Sequence, residues 1–336
     1  MTARAAWPGL ILAFLLAAGA GCMKDVSVNP RADAGDTDSS SASDADTDAD
    51  SDADADSDTD TDSDTSSDSD SGEDTGTGSG GACAGLDVII AMDGAAADHL
   101  HGAMRSRFAD AIGSLGDIGD GVDEVRVAVI DGCPQPAAYH NWGASGDCSF
   151  AGDANWLSSA DGDFDTAFEC VMDLAVGGGY DGGVDSCSGG DQSAQPARAA
   201  AASVDEASND GFLRDDALLL VLALTDTDES FFGGDAASIR TALVDAKGSD
   251  DRVVFVGFGG EAEINMIDPD CDSAYDLPDQ EYDVEDSVNM RATAEGFGAN
   301  GLYATLCHNG PHGAADPIGD ALGAAASRLD TLCAAF

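Results

Sequence analysis

A chain of 336 residues with 65 acidic and 13 basic side chains has a formal charge of −52. Without a basic stripe it cannot neutralise phosphates, which excludes nucleic acid as a partner and disfavours anionic lipid headgroups. Such acidity suits solubility, salty surroundings or cationic partners. The length allows two domains, but composition removes the first quarter from any globular part.

Residues 1–22 begin with Arg4, continue through the apolar run LILAFLLAAGAG and stop at Cys22. The run is too short to span a bilayer, and its charge-then-apolar-then-small order is that of a signal peptide. Its end, GAGC, resembles a bacterial lipobox with Gly19 where Leu is usual. The resemblance implies that Cys22 is lipidated and is the membrane attachment. Met23 after the cysteine implies outer-membrane sorting, on the periplasmic or the cell-surface side, with ordinary secretion as the alternative.

Residues 23–82 read as a stalk. From Asp33 to Gly81 the chain is almost entirely Ser, Asp, Thr, Ala and Gly, and between Asp44 and Asp64 every second residue is aspartate. With nothing large to bury and like charges in series, the segment is expected to be disordered and extended. Its roughly 50 residues reach about 40 Å as a neutral coil and at most about 165 Å when stretched. A calcium-binding tract is the weaker reading, because calcium loops need a turn glycine and a fixed ligand cage.

From Cys83 onward the pattern is that of a single domain, residues 83–336. The continuous apolar run 86–92 reads as a strand covered on both faces. A helix follows over 95–115, with Leu100, Met104, Phe108, Ala111, Ile112 and Leu115 on one stripe. Next come a strand at 124–130, an elaborated loop at 131–160, helical spacing from Phe164 to Leu174, a Gly-rich loop at 177–193 and a helix over 195–208 opened by Pro196. The strongest buried strand is 216–226. A helix at 235–247, a strand at 252–258, an acidic loop at 260–288, a short helix, a strand at 301–307 and a closing helix at 315–332 complete the chain. This alternation predicts a mostly parallel α/β sheet with helices on both faces and right-handed crossovers.

Apart from Cys22, eight cysteines remain, an even number in a chain that reads as exported, so four disulfides in an oxidising compartment are expected. The pairing favoured is Cys83–Cys333, Cys133–Cys148, Cys170–Cys187 and Cys271–Cys307, which ties the domain's ends and pins three loops. There is no C-x-x-C pair, which argues against zinc ribbons and thioredoxin chemistry.

The run DVIIAMDGAAADHL, the strand VRVAVI, a cysteine-bearing loop with Trp156, FECVMDLAVGG and above all GFLRDDALLLVLALTDTDES resemble a von Willebrand factor type A domain. The version carried by bacterial surface lipoproteins is the nearest in kind. The resemblance covers most of 84–333 and implies a doubly wound sheet of strand order 3-2-1-4-5-6. It also implies a metal-ion-dependent adhesion site where the carboxyl ends of strands 1 and 4 meet, which is where open parallel sheets bind ligands on physical grounds. Asp93 and Asp226 match the two family aspartates, with Asp228 and Glu229 just beyond. Ala95 and Ala97 stand where the family has serine hydroxyls, and Gln192 and Ser193 are the nearest stand-ins for its threonine loop. Two carboxylates on strands about 4.8 Å apart can hold magnesium or calcium through water. The alternative is that Asp93 caps the first helix and Asp226 is a solvated strand end.

Further candidates are weaker. Asp268, Asp270, Asp272, Asp276 and Asp279 fall at positions 1, 3, 5, 9 and 12 of a calcium loop, but Ser273 replaces the turn glycine and Pro269 stiffens the chain. His99 and His101 do not face each other on a helix, and His308 with His312 belongs three strands away, so surface histidines are expected. No G-x-S-x-G elbow or S-x-x-K occurs. The expectation is therefore a lipid-anchored, non-catalytic recognition domain for protein or polysaccharide with a degenerate metal site. A structural envelope lipoprotein without a ligand is the alternative, and a metal-assisted hydrolase using Asp93 and Asp226 a third reading.

Overall fold

Six strands among the described residues form one sheet: β1 (Gly85–Met92), β2 (Glu124–Asp131), β3 (Leu157–Ser158), β4 (Ala217–Leu224), β5 (Val253–Gly259) and β6 (Gly301–Thr305). They lie in the order β3-β2-β1-β4-β5-β6. Every neighbouring pair is parallel except β2 and β3, which is antiparallel. The computed structural model describes residues 83–94, 96, 98–133, 136–143, 146–150, 154–173, 195–228, 236–261, 271–275, 283–308 and 313–335. The leader with Cys22, the stalk, Ala95, Ala97, Cys187, Gln192, Ser193, Glu229, Asp268, Asp270, Asp276 and Asp279 lie outside them. Among the described residues no helix is long and apolar enough to cross a membrane.

The apolar strands are explained by cover on both faces. Leu86, Val88, Ile90 and Met92 of β1 pack into one core, with Leu100, Met104 and Phe108 of helix α1 (Asp98–Gly116), Phe168 of α2 (Phe164–Val171) and Leu322 and Leu329 of α6 (Pro317–Cys333). Ile89 and Ala91 point the other way, into a second core. It is filled by Ala199 and Ala200 of α3 (Pro196–Ser203), Ile239 and Leu243 of α4 (Ala236–Lys247) and Met290 and Ala294 of α5 (Val288–Gly296). Each large aliphatic side chain so buried contributes about 1.5–3 kcal/mol. The alanines of α3 let that helix lie close against β1, β2 and β4. It ends at Ser203, five residues short of the expected 208. The Asn209 amide donates to the Ser203 carbonyl at 2.9 Å, taking the acceptor that the next helical turn would need.

Two stretches expected to be loop contain short ribbons. Trp142–Gly143 pairs with Gly146–Asp147, and Cys271–Asp272 pairs with Asp283–Val284. The first corrects the expected cysteine pairing. It folds Cys148 back onto the last turn of α2, so the bond formed is Cys148–Cys170, in place of Cys133–Cys148 and Cys170–Cys187. Cys133 is also disulfide-bonded, to a partner outside the described residues. Cys83–Cys333 and Cys271–Cys307 pair as the sequence suggested. The former joins positions 250 residues apart, a closure worth about 5 kcal/mol in the chain-entropy account.

One residue breaks the apolar character of β1. Asp87 is 0% exposed. Its carboxylate accepts from the backbone N–H of Arg214 at 2.9 Å and from Arg214 Nε at 2.8 Å, and lies 3.4 Å from Lys247 Nζ at the end of α4. The same guanidinium reaches Glu124 Oε2 at 2.9 Å and the carbonyls of Leu86 and Glu124. Gly85 is required by this arrangement, because a Cβ there would stand 2.5 Å from Arg214 Nη1. Burial lowers the Lys247 pKa and the Asp87 charge opposes that shift. Removing one partner of such a cluster leaves the others buried and uncompensated. Asp87→Ala is therefore expected to cost about 3–5 kcal/mol, read as a lowered urea midpoint; a loss below about 1 kcal/mol would refute a structural role.

Candidate functional site

The register fixes what meets at the carboxyl edge. Gly85 of β1 is level with Ala217 of β4, and Met92 with Leu224, so both strands end together. Asp93 follows at once, its N–H donating to the Leu224 carbonyl at 2.9 Å. Its carboxylate sits 3.3 Å from the Thr225 hydroxyl. That hydroxyl also lies 2.9 Å from the Thr227 carbonyl, so its proton is shared between two acceptors. Asp93 and Asp226 are only 2% and 3% exposed, so Asp226 is not the solvated strand end of the plainer expectation. Both residues make further interactions within the protein.

Asp228 faces helix α5. Its two carboxylate oxygens accept from the backbone and side-chain amides of Asn289 at 3.0 and 3.1 Å, at the helix N-terminus where a negative charge is favourable. The segment 285–287 closes over the strand ends from the other side. Glu285 donates its N–H to the Asp226 carbonyl at 2.9 Å, and the buried Ser287 hydroxyl lies 3.3 Å from the Thr227 carbonyl. Gly260 accommodates this segment, since a Cβ there would overlap the Glu285 carbonyl. Arg291 of α5 then holds Asp286 at 2.6 Å and Glu261 at 3.5 Å, with its guanidinium 5.6 Å from the Tyr303 ring. Burial raises the Tyr303 phenol pKa, so it stays protonated and donates to the Gly260 carbonyl.

His101 corrects an expectation. It is 3% exposed, not a surface residue. Its Nε2 donates to the Asp93 carbonyl at 2.7 Å, locking the turn from β1 into α1. At the end of β2, His140 Nε2 lies 3.3 Å from Asp131, and the ring stacks on Trp142 at 4.4 Å. The Gln195 N–H donates to the Gly132 carbonyl at 2.6 Å, which brings the start of α3 to the same edge. No hydroxyl or thiol bonds His140 among the described residues, so this pair lacks a nucleophile there. Of the proposed calcium positions only Asp272 is described; it is exposed, lies in the Cys271–Asp272 ribbon, and its carbonyl accepts from His308 N at 2.8 Å.

The sequence reading named Asp93, Asp226, Asp228 and, as a surface residue, His101; it did not name Glu285, Ser287 or Arg291. Among the described residues no group of three or more His, Cys, Asp or Glu side chains is arranged to hold a metal ion. A cation at Asp93 would have to compete with the Thr225 hydroxyl, and Asp228 is turned to Asn289. No protein-family model matches the chain, and none of the curated proteins matches it.

The rim is pinned by Asp316, the cap of α6. Its Oδ1 accepts from Arg107 Nε at 2.8 Å and from the Tyr275 hydroxyl at 2.9 Å. Burial would raise its pKa, but these bonds and that from Gly319 N outweigh it, leaving it below the ordinary 3.8. A depressed carboxylate contributes stability above the unfolded pKa and loses it as pH falls through the folded one. Asp316→Asn keeps the cap and removes the charge. Melting curves should show the wild type ahead at about pH 6 and the gap closing as pH falls through the lowered folded-state pKa; a gap independent of pH would contradict the assignment.

Proposed function

We propose that residues 83–336 are a von Willebrand factor A-like, doubly wound recognition head of an exported lipoprotein, carried on its stalk from a lipid at Cys22 of the outer membrane. It engages a protein or polysaccharide through the carboxyl-edge loops without catalysing a reaction. The fold part of this reading is supported by the strand order, with one short antiparallel strand at the edge, and by Asp93 and Thr225-Asp226 at adjoining strand ends. Export is supported by the described cysteines, all seven of which are disulfide-bonded.

The observation that carries the reading is the state of the two aspartates. In an adhesion site that works through a metal, the carboxylates must present oxygens to an ion and to the ligand beyond it. Here Asp93 is buried against Thr225, and Asp226 is buried with its carbonyl accepting from the Glu285 N–H. Hydrogen bonds within the protein do the joining that an ion would otherwise do. Recognition then falls to the surrounding surface: residues 136–143 with Trp142, residues 146–150, the 271–275 ribbon and the 283–287 closure.

Arrays of immobilised glycans and extracellular-matrix proteins test the reading on the full chain. Saturable binding to one of them is expected, unchanged within about twofold by chelator, because no ion bridges the ligand. Calorimetric titration with magnesium should give the same isotherm for the wild type and Asp93→Asn, any heat from the acidic stalk being common to both. Binding abolished by chelator, or a magnesium site lost in Asp93→Asn, would restore a metal-dependent mechanism. Separately, Cys22→Ala should move the chain from the membrane pellet to the soluble fraction; retention in the pellet would refute the lipid anchor.

A further inference from the structure

Among the described residues, strand β6 ends the sheet. It bonds to β5 on one side, and four of its five residues are partly exposed. Proteins protect such edges with Lys, Pro, bulges or a covering element, because the outward N–H and C=O groups are a template for another strand. The sequence of β6, GLYAT, has none of these residues. Along its outer side runs a cavity of about 430 Å³, floored by Leu302, Tyr303 and Ala304 and walled by α5 and the first turns of α6.

The two walls differ. Leu302 and Ala304 turn toward the core under α6, whose contribution to the groove is mostly small and apolar: Pro317, Ala321 and Ala324. Tyr303 turns toward α5, where Glu261, Arg291 and Glu295 line the groove. Arg291 is already bonded to Asp286 and Glu261. Glu295 on this wall and Asp320 on the other are exposed and make no ion pair among the described residues. The slot therefore carries uncompensated negative charge above a sheet edge that no other described strand pairs. A strand laid there projects alternate side chains to opposite faces.

We propose that the β6 edge takes an extended basic segment of another protein as an added strand, its alternate apolar side chains against α6 and its Lys or Arg side chains against Glu295. Main-chain pairing supplies affinity and the two walls supply the choice of side chains. The formal charge of −52 argues against a second copy of this chain as the occupant, since like charges would meet. The groove shares Glu261, Arg291 and Tyr303 with the closure of the carboxyl edge, but the proposal does not depend on the function proposed for Asp93 and Asp226.

The test uses the full chain and a labelled peptide of alternating lysine and valine, read by fluorescence anisotropy. Two further peptides carry N-methyl groups on either the lysine or the valine nitrogens only. An added strand turns one set of N–H groups to the edge and the other to solvent. One methylated peptide should therefore bind about tenfold more weakly while the other matches the parent. Simple attraction to the acidic stalk would treat the two alike, and that outcome overturns the proposal. Glu295→Lys and Ala324→Trp, both at exposed positions, should each remove the difference between the peptides while leaving the melting temperature unchanged. Persistence of the difference in both variants would overturn the proposal. So would concentration-dependent dimers of the wild type, in sedimentation, that Ala324→Trp abolishes, since the occupant would then be a second copy.

Discussion

The geometry of this domain hangs on a carboxylate buried at the amino end of its central strand. Asp87 has no exposed surface, and a lone charge there would be prohibitively costly; Arg214 and Lys247 are what make it tolerable. Arg214 stands just before β4 and Lys247 at the end of α4, while Glu124, which shares the guanidinium, begins β2. One cluster therefore aligns the starting points of three adjacent strands. Strands β1 and β4 have eight residues each, so a common start gives a common end. The meeting of Asp93 with Thr225 at the far edge follows from the clamp at the near one.

What closes the carboxyl edge is equally specific. The His101 ring, the Thr225 hydroxyl, the Ser287 hydroxyl and the Glu285 N–H each bond a group at or beside the end of β1 or β4. None is an ion. Farther out, the Cys148–Cys170 bond fastens the 146–150 segment to α2 and Cys271–Cys307 fastens the second ribbon to the chain after β6. The result is a floor with covalently anchored margins.

Much of the frame was legible in the sequence because its signal is local. Runs such as ALLLVLAL announce a strand covered on both faces, and the α1 stripe at Leu100, Met104 and Phe108 needs only helical spacing. The parts that stayed hidden depend on partners distant in sequence. Asp87 is separated from Arg214 by 127 residues and from Lys247 by 160, so nothing near it marks the charge as paired. His101 is buried because the β1–α1 turn brings the Asp93 carbonyl over it, a consequence of the turn and not of helix periodicity. The Cys148 pairing turned on a two-residue ribbon too short to leave a pattern. For the same reason Asp228 read as a third carboxylate for an ion, although Asn289 receives it 61 residues later.

The central claim is that hydrogen bonds within the protein, rather than a bound cation, hold the ends of β1 and β4 together. The measurement that tests it most directly is a crystal of the full chain or its stable core soaked in manganese, with anomalous difference maps computed at the metal edge. The account predicts no peak between Asp93 and Asp226 and an intact contact from the Thr225 hydroxyl to the Asp93 carboxylate. A manganese peak there, with Thr225 turned away from Asp93 to ligate it, would contradict the account and make the edge a working metal site.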